Sequence, residues 1–179
     1  MVVEKKGLKF AILSQNASFR IYKICLDSLN KFKHVEPEFQ CGGQDSHTNK
    51  LIDGAFSADC SKFFSISEDK KIKIWDLKNG TSFSDIPPQV LASYSLPEQY
   101  LNIEWIKLKD GDDIIAMVGE KDIDFFKISG KKFEKIETIE NPHLGNMVQK
   151  MVNVNKGSQG PTKFITRCHV KVFTWNVDF

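Results

Sequence analysis

His47, Ser65 and Asp69 carry the three side chains of a hydrolytic triad within one short stretch of chain. A serine hydroxyl activated by an imidazole, itself oriented by a carboxylate, attacks acyl groups. Their surroundings argue against that chemistry. No nucleophile elbow frames Ser65, and no oxyanion motif accompanies it. No glycine-rich phosphate loop occurs. Asp110-Gly111-Asp112-Asp113 has the acidic density of a calcium loop but lacks its later ligand positions, so it reads as a turn between strands. Cys25, Cys41, Cys60 and Cys168 form no C-x-x-C pair, and no closely spaced pair of histidines accompanies them. The sequence therefore predicts no catalytic residues, no cofactor and no metal site. The cysteines read as reduced thiols of a cytosolic or nuclear protein.

The polar residues lie on a repeated pattern of short strands. In Ser65–Leu77 an apolar strand, a tight acidic turn and a second strand follow one another, the last ending Trp75-Asp76. Ile72 and Ile74 face one way along it, Lys71 and Lys73 the other. Asn79-Gly80 then supplies a turn. Weaker versions occur at Ser18–Ile24, Asp122–Ile128 and His169–Trp175, with Tyr22, Phe126 and Phe173 in the place of Trp75. Apolar strands precede them at Phe10–Leu13, Phe63–Ser67, Ile114–Val118 and Phe164–Thr166. Further strands are expected at Leu51–Phe56, Tyr100–Ile106 and Met147–Val154, and an outer one at Gln89–Tyr94 after Pro87-Pro88. Lys31–Gln44 reads as a connecting loop and Gly157–Pro161 as a turn. Regular short strands without helical periodicity predict an all-β chain. A β-sandwich has similar strand spacing; the Trp-Asp strand ending separates the two readings.

Composition sets wide bounds. The chain has 179 residues, with fourteen Phe and three Trp to fill a core. Its formal net charge of +2 selects no class of partner, although a local basic face is compatible with it. The N-terminal residues lack the apolar stretch of a signal peptide, and no run approaches the ~20 apolar residues that span a bilayer. A nuclear or cytosolic setting is expected, the nucleus preferred, with no membrane partner.

The Trp75 segment resembles a WD repeat. The aromatic positions 22, 75, 126 and 173 recur at somewhat more than the ~40–45 residues of that repeat. The resemblance implies a β-propeller of about four blades, near 7–44, 45–95, 96–139 and 140–179. Propellers have 4–8 blades, so this one reads as incomplete, to be completed by more chain or by another molecule. In WD repeats a tryptophan, a hydroxyl residue, a turn aspartate and a loop histidine hydrogen-bond together. The matching residues are Trp75, Ser65, Asp69 and His47, which makes this cluster a blade lock rather than a triad. The other repeats carry Ile12, Ala116 and Lys163 at the Ser65 position and Asn16, Glu120 and Arg167 at the turn. His143 stands where a fourth loop histidine would, without a matching acid.

Chain order carries a second resemblance, to the non-catalytic WD-repeat subunit of tRNA (guanine-N7) methyltransferase. The matching segments are Gly7–Leu13 with Asn16 and Ser18–Tyr22, then Phe56–Asp59, Asp113–Ile128, His143–Met147, Lys163–Arg167 and His169–Val172. It implies a scaffold with no activity of its own. A catalytic partner would hold S-adenosylmethionine, and tRNA would be met within the complex. By position, Lys171 would pair with an acid of the methyltransferase, with Arg167 as a second interface candidate. Lysines at 5, 6 and 9, at 70, 71 and 73, and at 131, 132 and 135 are candidate phosphate contacts if several share a face. The alternatives are a WD scaffold of nucleolar ribosome assembly, another protein-interaction propeller, and an enzyme in its own right.

Overall fold

Alternating apolar residues bounded by tight turns make this chain a succession of antiparallel hairpins. The computed structural model describes residues 9–41, 45–78, 88–107, 112–130, 132–154 and 162–177. The turns expected at Asn79-Gly80 and Gly157–Pro161, and residues 110 and 111 of the acidic turn, lie outside them, as do Lys5, Lys6 and Lys131. The described strands are β1 (Lys9–Leu13), β2 (Phe19–Leu26), β3 (Phe32–Cys41), β4 (Leu51–Phe56), β5 (Lys62–Ser67), β6 (Lys71–Asp76) and β7 (Val90–Ser95), followed by β8 (Asn102–Lys107), β9 (Asp113–Val118), β10 (Ile123–Ser129), β11 (Lys132–Ile139), β12 (Lys150–Asn153), β13 (Thr162–Arg167) and β14 (Val172–Val177). They form four sheets, ordered β1-β2-β3, β4-β5-β6-β7, β8-β9-β10-β11 and β12-β13-β14. The chain is all-β, and each sheet is a meander of sequence neighbours. No helix among the described residues is long and apolar enough to cross a membrane.

The chain divides into two compact units between Ser93 and Tyr94. The core of the first is aromatic. Phe19 lies 4.9 Å from Phe63 and 5.0 Å, edge-on, from Trp75, and Phe56 lies 4.9 Å from Phe63. Offset and edge-to-face rings of this kind add to the stabilisation that burial brings. Leu51, Phe39 and Ile21 complete the cluster. Gly54 on β4 lets the Phe63 ring lie directly against the backbone, since a Cβ there would come within 2.4 Å of its edge. In the second unit Ile106, Ile114, Ala116, Val118, Phe125, Met151 and Phe164 pack together. Asn102 accepts a hydrogen bond from the Met151 N–H at 2.9 Å, and Asn153 donates to the Trp105 carbonyl at 3.1 Å, joining β8 to β12.

Two strands depart from the expectation. The stretch expected as a loop over Lys31–Gln44 forms β3 across Phe32–Cys41, paired with β2. β3 is an edge of its sheet, exposed along most of its length, so burial imposes no apolar alternation on it. Lys33, Glu36 and Glu38 suit an edge, and Pro37 is tolerated there because an edge strand can forgo a donor. The register slips between Ile21 and Tyr22, opposite Pro37 and Phe39. β11 has no counterpart among the expected strands for the same reason: it too is an outer strand, mostly exposed.

Candidate functional site

The β5–β6 hairpin gathers the four residues expected to meet. β5 pairs Phe63 with Trp75 and Ser65 with Lys73, which sets the indole and the hydroxyl on one face, two residues apart along the strand. Trp75 Nε1 donates to Ser65 Oγ at 2.9 Å, and His47 Nε2 lies 2.8 Å from the same oxygen. His47 Nδ1 lies 3.0 and 3.1 Å from the two Asp69 oxygens. One proton arrangement satisfies every atom: Nδ1–H to Asp69, Ser65 O–H to Nε2, Trp75 N–H to Ser65 Oγ. Asp69 also accepts from the N–H groups of Thr48 and Lys71, both at 3.0 Å. It thereby ties the loop before β4 to the β5–β6 turn, where Lys70 adopts a φ of 54°.

The electrostatics keep this network neutral at its centre. Burial lowers the His47 pKa, against the raising effect of Asp69. Burial pushes Asp69 up, but the Thr48 N–H and the His47 ring outweigh it and hold the carboxyl below its ordinary range. Ser65 and Trp75 have no exposed surface, and His47 is 3 % exposed. A nucleophile must reach a substrate; Ser65 Oγ is enclosed and already held by two partners.

The fourth sheet repeats most of this arrangement. Trp175 Nε1 donates to Thr166 Oγ1 at 2.7 Å, and His143 Nε2 lies 2.8 Å from that oxygen. β13 pairs Phe164 with Trp175 and Thr166 with Phe173. By register, Thr166 therefore stands where Ser65 does and Trp175 where Trp75 does. Lys163 and Phe173, expected at these positions, lie three and two residues earlier, and the β13–β14 turn is also shorter than its counterpart. Arg167 pairs with Val172 across that turn, one residue fewer than between Ile66 and Ile72. The lost residue takes the acid with it. His143 Nδ1 is buried with no hydrogen-bond partner among the described residues, and burial lowers the ring's pKa.

In the first sheet Phe10 pairs with Tyr22 and Ile12 with Arg20, so Tyr22 and Ile12 occupy the Trp75 and Ser65 positions as expected. In the third, Ile115 pairs with Phe126 and Met117 with Asp124. Phe126 takes the tryptophan position, and Met117 rather than Ala116 takes that of Ser65. A different polar cluster, absent from the sequence reading, lies beside it. Asp124 accepts from Tyr100 Oη at 2.6 Å and Thr138 Oγ1 at 2.7 Å, and pairs with Lys135 Nζ at 2.7 Å. Burial raises Asp124, but Lys135, Tyr100 and Thr138 together hold it below the ordinary range. Trp105 Nε1 donates to Asp113 at 2.7 Å, so all three tryptophan N–H groups end on a side-chain oxygen of their own sheet.

The candidate interface residues behave differently. Arg167 ends β13 with its side chain exposed, and Lys171 is exposed in the turn, one residue before β14 begins rather than on the strand. The Lys171 carbonyl accepts from the Cys168 N–H at 3.0 Å, closing that turn. Several lysines singled out as phosphate contacts are committed internally. Lys9 pairs with Glu38 at 2.7 Å, Lys73 donates to the carbonyls of Asp45 and Ser46, and Lys135 holds Asp124. Cys25, Cys41, Cys60 and Cys168 form no disulfide among the described residues. No protein-family model matches the chain, and no curated protein is significantly similar to it.

Proposed function

We propose that the chain is a WD-repeat β-propeller region that acts as a non-catalytic scaffold, most specifically for a tRNA (guanine-N7) methyltransferase. The observation that carries the scaffold reading is the enclosed His47–Ser65–Trp75 network and its near copy at His143, Thr166 and Trp175. A nucleophile must reach its substrate, and Ser65 is fully buried. Two similar networks, each crossing between adjacent strands of its own sheet, the first fully buried and the second partly so, suit the holding of sheets in shape. The methyltransferase reading rests on the order of the resembling segments along the chain. The exposed side chains of Arg167 and Lys171 suit an acidic partner surface. A charge desolvated at such an interface contributes more than the ~0–1 kcal/mol of an exposed pair.

On this reading the catalytic subunit binds S-adenosylmethionine, and this chain stiffens it. Because Lys9, Lys73 and Lys135 are engaged within the protein, tRNA is met by the complex rather than by this chain alone. Co-expression with a tRNA (guanine-N7) methyltransferase subunit tests this. The two should purify together, and Lys171→Glu with Arg167→Glu should separate them. Recovery of ribosome-assembly particles instead would move the scaffold to that process. Turnover by the isolated chain would end the non-catalytic reading.

A further inference from the structure

β2 and β3 form a hairpin whose far end carries three potential metal ligands on one face. Cys25 stands directly opposite His34, and Glu36 follows two residues later on β3, opposite Lys23. Side chains two apart on a strand share a face, and directly opposed positions across a pair bring their side chains together. The Cys25 sulfur, a ring nitrogen of His34 and a carboxylate oxygen of Glu36 accordingly all lie within 4.8 Å of one another. His34 Nε2 is 2.7 Å from Glu36 Oε1.

We propose that Cys25, His34 and Glu36 bind one zinc ion on the outer hairpin of the first sheet, leaving its fourth position open. One thiolate, one imidazole and one carboxylate are the three ligand classes that zinc takes. Calcium and magnesium demand oxygen alone. Bond lengths of about 2.0–2.3 Å in a tetrahedron put ligand atoms about 3.3–3.7 Å apart. The observed spacing reaches this by opening the His34–Glu36 pair slightly and drawing the sulfur in, changes within rotamer freedom for side chains at the surface. His34 and Glu36 are 45 % and 52 % exposed, so the ion has a clear entry path.

The hairpin end that carries the ligands is held firm. Asp27 Oδ1 accepts from the N–H groups of Leu29 and Lys31 at 2.9 and 2.8 Å, and the Asp27 N–H donates to the Lys31 carbonyl at 2.8 Å. Ligands on a fixed pair of strands lose less freedom on binding than ligands on a loop. The Glu36 carboxylate and the His34 ring are already in contact, so the ligand atoms are gathered before an ion arrives. Lys23 and Lys33 lie nearby and weaken the site's attraction for a cation. The open fourth position is available to water or to a donor from a bound partner.

Cobalt reports on such a site because thiolate ligation produces a charge-transfer absorption. Titrating the full chain with Co²⁺ should raise that band to saturation at one equivalent, and Zn²⁺ should then bleach it stoichiometrically. Cys25→Ser should abolish the band and weaken zinc affinity at least about 100-fold, beyond the 10–100-fold expected of outer-sphere partners. His34→Ala and Glu36→Gln should each shift the titration to higher metal while keeping the thiolate band. All three positions are at least partly exposed, and unchanged circular dichroism would show that the variants fold. A chain that gives no thiolate band, or a band that survives Cys25→Ser, overturns the proposal.

Discussion

Replacing Ser65 with alanine removes one oxygen and leaves the shape of the core intact. That oxygen is the meeting point of two bonds, from Trp75 Nε1 at 2.9 Å and with His47 Nε2 at 2.8 Å. Both partners are buried and no water can replace the hydroxyl, so each loses its only partner on that side. An unsatisfied buried polar group costs about 1–3 kcal/mol, so Ser65→Ala should destabilise by about 2–6 kcal/mol. The fourth sheet supplies the internal comparison. Thr166→Val breaks the same two bonds, but Trp175 is only half-buried and regains part of its hydration. His143 is already unpaired at Nδ1, so that network is the weaker one from the start. Thr166→Val should therefore cost about 1–3 kcal/mol. Urea unfolding followed by circular dichroism measures both. A Ser65→Ala penalty below about 0.5 kcal/mol, or one smaller than that of Thr166→Val, would refute the reasoning.

Gly54→Ala should destabilise the first unit by about 1–3 kcal/mol, the usual cost of overpacking. The new methyl meets both the Phe63 ring and the Phe64 carbonyl, at 2.4 and 2.9 Å, and the backbone carbonyl cannot give way; thermal unfolding reads the loss. Asp59 controls part of the acid limb. Burial raises it, but Ser57 and Ser61 hydroxyls and the Ser61 N–H bring its pKa down to about 2 from 3.8. Its contribution is thus complete above pH 3.8 and lost as pH falls towards 2, and Asp59→Asn should flatten that stretch of the stability profile. His47 and His143 both have lowered pKa values, each through burial first. The unfolded chain therefore binds their protons at higher pH than the folded chain. Stability should begin to fall as pH drops through 6.5, and His143→Phe should remove part of that fall in a pH series of urea titrations.

Inner strands announced themselves in the sequence because both of their faces are covered. β9 is almost wholly apolar and β5 is buried throughout but for its first residue, and their bounds lie within a residue of expectation. The outer strands β3 and β11 did not, because solvent on their exposed side leaves polar residues free to occupy any position. The Trp75 network was legible because its residue types and spacing are all present. Its copy around Thr166 was hidden because a strand's two-residue period lets Phe173, two residues before Trp175 and on the same face, match the aromatic position equally well, and no turn acid marks the register. The Tyr100–Asp124 cluster joins residues from β10 and the segment before β8, which no local pattern links. Cys25 and His34 became neighbours only once Lys31–Gln44 was a strand rather than a loop, since their approach depends on the β2–β3 register.

The proposed scaffold role has this chain grip a catalytic subunit through exposed positive charge. The most direct test is the dissociation constant for a tRNA (guanine-N7) methyltransferase subunit, measured by isothermal titration with the native chain and with Lys171→Glu and Arg167→Glu together. Saturable one-to-one binding is expected, weakened at least tenfold, about 1.4 kcal/mol, by the reversed charges. Absence of binding by the native chain, or an affinity untouched by the two substitutions, would contradict it.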